Sequence, residues 1–64
     1  MMGVEALRGR VEAKVSEKVG MVDQMGMKAF GPLMGMMMVE VRGKARAEDV
    51  QTILREAIQA RLKR

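Results

Sequence analysis

Residues 31–45 read GPLMGMMMVEVRGKA, and whether this stretch is a strand, a membrane insert or a helix decides the fold of the whole chain. Short apolar runs are not assigned by periodicity alone, so the punctuation has to arbitrate. Pro32 fits the first helical position, where an amide has no partner in any case, and Gly31 before it can serve as N-cap. Gly43 falls where a left-handed residue closes a helix. Met and Leu are better helix formers than strand formers. The spacing therefore predicts a helix over 32–42. Its apolar side chains point nearly all round, which predicts the buried central helix of a small domain, with Gly35 letting a neighbouring backbone come close. A membrane insert fails on length: the nearly uncharged run 29–39 is about half of the roughly 20 residues a spanning helix needs.

On either side of this block the helical period is plain. Val4, Leu7, Val11, Val15, Val19 and Val22 recur every three or four residues, with Glu5, Arg8, Glu12, Lys14, Glu17 and Lys18 off that line, which predicts an amphipathic helix over about 4–25. Glu5–Arg8, Arg8–Glu12 and Lys14–Glu17 stand at spacings where opposite charges meet on one helix face. Gly26 followed by Met27 marks the stop. Val50, Ile53, Leu54, Ala57, Ile58 and Leu62 form a single stripe over about 48–62. Glu48 and Asp49 lie in its first turn and Arg61, Lys63 and Arg64 in its last, as the helix dipole favours. No Ser, Thr, Asp or Asn stands at the expected N-cap near Arg46 or Ala47, a weakness at that end. The expected fold is all-α: one compact three-helix domain over residues 1–64, with connections of about four to six residues.

The composition bounds what such a domain can do. The chain has 64 residues with no Cys, no His, no Trp, no Tyr and a single Phe. Disulfides and the usual zinc ligand sets are excluded as staples, and the core must be built from Val, Leu, Ile, Ala and Met. Ser16 has no base to activate it, and Glu48–Asp49 is accounted for by the helix dipole. No Gly-rich loop follows a strand to cradle phosphate, and no acidic spacing matches a calcium loop. The isolated polypeptide is expected to be no enzyme and to need no cofactor or metal. The N-terminus, interrupted by Glu5, Arg8 and Arg10, shows no secretory leader; together with the absence of Cys this fits a cytoplasmic protein.

The net charge of +4 is unevenly placed. Residues 1–40 carry five basic and five acidic side chains, whereas 41–64 carry seven basic and three acidic, which supplies the whole excess. A one-sided excess suits an anionic partner, although on charge alone a solvated helix end is the simpler account. Lys28, Arg42, Lys44 and Arg46 belong to the two interhelical turns, and the last three fall within five residues. Such a patch can neutralise about three or four phosphates. With Phe30 the one aromatic, and better explained as a core anchor, there is no stacking platform for single-stranded bases.

The run FGPLMGMMMVEVRGKARAEDVQTILREAI is similar to the tail of the tRNA-dependent amidotransferases, the GatB/YqeY family. The pattern is carried by Gly31, Leu33, Met34, Gly35, Met38, Glu40, Arg42, Gly43, Lys44, Ala45, Val50 and Leu54. The Gly-Pro-Leu-Met-Gly form most resembles the C-terminal tail of the archaeal E-type subunit of glutamyl-tRNA(Gln) amidotransferase, and the likeness reaches back over roughly residues 11–62. It implies a helical tail cut from a larger subunit that helps turn Glu-tRNA(Gln) into Gln-tRNA(Gln), with ATP used in a separate domain. It further implies a tail that grips the outer corner of tRNA near the D-loop. The expected RNA-binding positions are Arg42, Gly43 and Lys44, which match the family pattern, with Lys28 and Arg46 added as cations of the same two turns; the partners the resemblance implies are tRNA(Gln) and the rest of the subunit and complex, with no membrane. Val39 stands where the family often has Lys, and Arg46-Ala47 where it has Asp-Gly, so a phosphate contact and a helix cap are both missing.

Two other classes remain open from the residues themselves. Met34, Met36, Met37 and Met38, with Met21, Met25 and Met27, can line an adaptable groove for apolar peptides, or simply fill a core short of aromatics. A helix-turn-helix reader of DNA is disfavoured, because Glu48 and Asp49 stand where such a helix meets the anionic duplex.

Overall fold

The computed structural model describes residues 2–63. Within them four α-helices follow one another: α1 Val4–Glu17, α2 Val19–Met25, α3 Phe30–Glu40 and α4 Ala47–Leu62. A 3-10 turn, Gly26–Ala29, joins α2 to α3. The first two are one helical arm with a bend at Lys18 (φ −109, ψ 30), across which the Lys18 amide still donates to the Lys14 carbonyl at 3.0 Å and the Val22 amide to the Lys18 carbonyl at 3.1 Å. The three-helix expectation is thus met, with the first helix bent. Among the described residues there is no strand, and no helix is long and apolar enough to cross a membrane.

Two glycines make the turns. Gly26 closes α2 at φ 62, ψ −137, a region open essentially to glycine alone. Gly43 sits at φ 75 in the turn after α3, where Lys44 and Ala45 both donate their amides to the Val41 carbonyl, at 2.8 and 3.2 Å. Both stops fall where the sequence predicts them. The start of α3 does not. Ala29 is already helical (φ −66, ψ −16) and α3 begins at Phe30, so Gly31 is not the N-cap and Pro32 is the third helical residue. Pro32 is tolerated there because the first four amides of a helix have no acceptor within it.

The core is aliphatic. Leu7, Val11, Val15, Val22, Ala29, Leu33, Met37, Val41, Val50, Ile53, Leu54 and Ile58 are buried, and among the described residues no charged or polar one is buried with them. The Cα radius of gyration, 10.8 Å, is what a compact chain of this length has, about 11 Å. Of the described methionines only Met37 is fully buried; Met2, Met21, Met34, Met36 and Met38 pack partly against the edge of the core.

The central element is α4, which packs against α1, α2, α3 and the 3-10 turn. This corrects the expectation for α3. Only Leu33 and Met37 of α3 are buried, and its outward side exposes Gly31, Pro32, Gly35 and Val39. The cause is simple: glycine and proline put almost no side chain on that side, so there is little to bury there. Gly35 makes no close approach within the domain either, because nothing lies within 4 Å of where its Cβ would stand.

Candidate nucleic-acid interface

The turn between α3 and α4, residues 41–46, carries three of the candidate cations. Its base is fixed by Val41, which is fully buried, and by Ala45, half-buried against the core. Between these two anchors Arg42, Gly43 and Lys44 are exposed. A third restraint comes from near the N-terminus: the Met2 amide donates to the Lys44 carbonyl at 2.7 Å. The backbone of the turn is therefore held at both ends and in the middle, while the Arg42 and Lys44 side chains stand outward. Among the described residues no carboxylate pairs with either. Arg46 is half-occupied, since its guanidinium lies 3.8 Å from Glu48 and both side chains are largely exposed. Contacts of this kind contribute little.

Lys28 is exposed in the 3-10 turn, at the other end of α3 from Arg42. The whole of that helix, 11 residues and about 16 Å long at 1.5 Å per residue, lies between them. The structure thus brings Arg42, Gly43, Lys44 and Arg46 together in one turn and leaves Lys28 at a second position along the same helix. Arg55 of α4 lies beside this second position, its guanidinium 5.4 Å from the centre of the Phe30 ring. That distance is within reach of a cation–π attraction. Phe30 is half-buried against the core, as expected of an anchor.

Other charged groups set the frame and are spoken for. Glu40, the last residue of α3, accepts from Lys14 at 2.7 Å and lies 3.8 Å from Arg10. Lys14 also reaches Glu17 at 3.1 Å, the one expected same-helix pair that forms. Arg8 pairs across the domain with Glu56 at 3.5 Å in place of its neighbours on α1. The hydrogen bonds to Glu40 first, and to Glu17 second, raise the Lys14 pKa above its ordinary value. Arg61 grips Asp23 with two bonds, Nε to Oδ1 at 3.1 Å and Nη2 to Oδ2 at 2.9 Å. That grip holds the Asp23 carboxyl below its ordinary pKa. Hence Arg61 is paired, whereas Arg42 and Lys44 of the 41–46 turn have no carboxylate partner among the described residues.

Sequence reasoning missed Glu40 and Met2 as positioning groups. Their partners, Lys14 and Lys44, lie 26 and 42 residues away in the chain, and no local pattern signals such pairs. It also missed Arg55, which reads as an ordinary solvated position of α4. An open cleft of about 470 Å³ lies between the first arm and α4, lined by Glu12, Val15, Ser16, Val19, Ala57, Ala60 and Arg61. Ser16 lines it with Glu12 one helical turn away, and among the described residues no three acidic side chains converge as metal ligands would.

Fold and turn together define a small all-α domain that presents cations from a helix–helix connection held rigid by its own core. Comparison with known proteins gives the class a family. The chain belongs to the GatB domain family, whose match covers residues 3–58. It is similar to the E-type subunit of glutamyl-tRNA(Gln) amidotransferase from Methanobrevibacter smithii, with 44% identity over 52 residues, 81% of this chain and 8% of that protein. The corresponding protein of Methanospirillum hungatei is 41% identical over 59 residues, 92% of this chain and 10% of that protein. That of Natronomonas pharaonis is 42% identical over 57 residues, 89% of this chain and 9% of that protein. The chain spans about a tenth of the length of these curated relatives. No solved structure matches.

Proposed function

We propose that this chain is the tRNA-binding tail domain of a glutamyl-tRNA(Gln) amidotransferase subunit, and that it grips folded tRNA near the D-loop through the turn 41–46. The observation that supports this reading is the turn itself: Arg42 and Lys44 are exposed and, among the described residues, without carboxylate partners, on a backbone pinned by Val41, Ala45 and Met2. A rigid loop loses little entropy when it meets phosphate, and each neutralised phosphate releases counterions. With one aromatic residue, itself packed on the core, the domain reads shape and backbone and leaves base identity largely unread. It acts as a non-catalytic grip, the ATP-dependent chemistry belonging to the rest of the subunit and complex in the cytoplasm.

The test is a titration of the 64-residue chain with tRNA(Gln) and with the same tRNA carrying an altered D-loop. Preference for the intact tRNA supports the reading. Equal affinity for any tRNA reduces it to unspecific charge, and no binding even at low salt removes it.

A further inference from the structure

The outward face of α3 has no account within the domain. Gly31, Pro32 and Gly35 are exposed and Val39 is 78% exposed, so the face is a helix surface without a single polar side chain. No atom lies within 4 Å of where a Cβ would stand on Gly31 or Gly35, so neither glycine serves a contact inside the protein. Glycine in an exposed helix costs stability relative to alanine, and here that cost returns nothing internally.

Two further features bear on what covers it. Lys28 is exposed in the 3-10 turn just before α3 and Arg42 in the turn just after it, so the glycines lie between a cation at each end of the helix. Gly31 and Val39 lie one turn on either side of Gly35, and Val39 shares a shallow hollow with Met38 and Arg42. The only acid of α3, Glu40, is turned away toward Lys14 and Arg10 of α1. The face therefore carries positive charge at both ends and no carboxylate between.

We propose that this face, from Lys28 across Gly31, Gly35 and Val39 to Arg42, seats the ribose–phosphate backbone of folded RNA. The glycines let the backbone lie flush against the helix, Val39 meets the apolar side of a ribose, and the terminal cations hold phosphates. This deepens the tRNA-binding reading and rests on it. Charge decides the occupant. An apolar partner helix would cover Pro32, Val39 and part of Met38 but would offer nothing to the exposed cations Lys28 and Arg42 at either end.

Gly35→Gln tests the idea, because it adds a neutral side chain on the open side of the helix. Gly9→Gln is the control: Gly9 is an exposed helix glycine on α1 with equally open space around it. Binding of tRNA(Gln) at low salt, thermal melting and sedimentation are measured on the 64-residue chain. The expected result is a loss of affinity of about tenfold or more for Gly35→Gln, with a melting temperature no lower than that of the unmodified chain and no change in affinity for Gly9→Gln. If Gly35→Gln binds normally while Arg42→Ala with Lys44→Ala does not, the turn is the RNA site and this face is not. Should the unmodified chain sediment as a dimer that Gly35→Gln dissociates without loss of RNA affinity, a second copy covers the face and the proposal is overturned. Failure of the unmodified chain to bind tRNA at all removes the underlying reading as well.

Discussion

Replacing Arg46 with Asp should make the protein more stable, although it removes a cation and places a third acid beside Glu48 and Asp49. Arg46 is the N-cap of α4, with φ −81 and ψ 144, and its side chain bonds no amide of the first turn. Its carbonyl already accepts from the Val50 amide at 3.0 Å, so the backbone has the capping geometry and lacks only the capping group. An Asp carboxylate there can accept from the amide of Glu48 or Asp49, which have no acceptor within the helix. Such caps contribute about 1 kcal/mol, within roughly 0.5–2. The losses are small. The Arg46–Glu48 contact is long and exposed, and repulsion among exposed carboxylates is screened and offset by the helix dipole. A net gain of about 1 kcal/mol in a domain of this size corresponds to a rise in Tm of about 4–8 °C. Melting followed by far-UV circular dichroism reads this directly, and Arg46→Ser gives the same cap without the added charge. If both variants melt at or below the temperature of the unmodified chain, α4 does not begin at Ala47 and the capping argument fails.

Three further outcomes follow from particular contacts. Gly35→Ala should stabilise by about 1 kcal/mol, the helix-propensity difference, because the added methyl meets nothing within 4 Å; a drop in the urea midpoint would mean that the face is occupied in the free protein. Leu33→Ala, which empties a fully buried site, should cost about 2–5 kcal/mol, enough to abolish a cooperative urea transition in so small a domain. Asp23 has its pKa lowered by Arg61, so the ion pair contributes fully above the ordinary aspartate value of 3.8 and is lost as pH falls through the lowered folded value. Asp23→Asn should therefore be less stable than the unmodified chain at neutral pH and converge with it in acid. Parallel pH profiles would deny the pair any role.

The helices were legible because their signals are local. The valine stripe of α1, the isoleucine and leucine stripe of α4, Gly26 and Gly43 all act within a few residues of themselves. The missing cap at Arg46 was legible for the same reason. What escaped was which helix sits in the middle. Apolar content suggested α3, yet burial depends on side-chain volume on each face, and Gly31, Pro32 and Gly35 leave one face of α3 nearly bare. Gly35 reads in the sequence as a site that admits a neighbouring backbone inside the fold; the open space around it reverses that expectation. The cations of the turn were visible in the sequence, but their freedom was not. It depends in part on Glu40, the acid two residues before Arg42, being taken by Lys14, 26 residues away in the chain.

The central claim, that the 41–46 turn neutralises RNA phosphates, is tested most directly by the salt dependence of tRNA affinity. The slope of log affinity against log salt is compared for the unmodified chain and for Arg42→Ala with Lys44→Ala. Each phosphate left without its cation should lower the magnitude of the slope by about 1. The double variant should therefore show a slope smaller by about 2, with Tm nearly unchanged. An equal slope in both proteins would show that these side chains touch no phosphate, and would contradict the account.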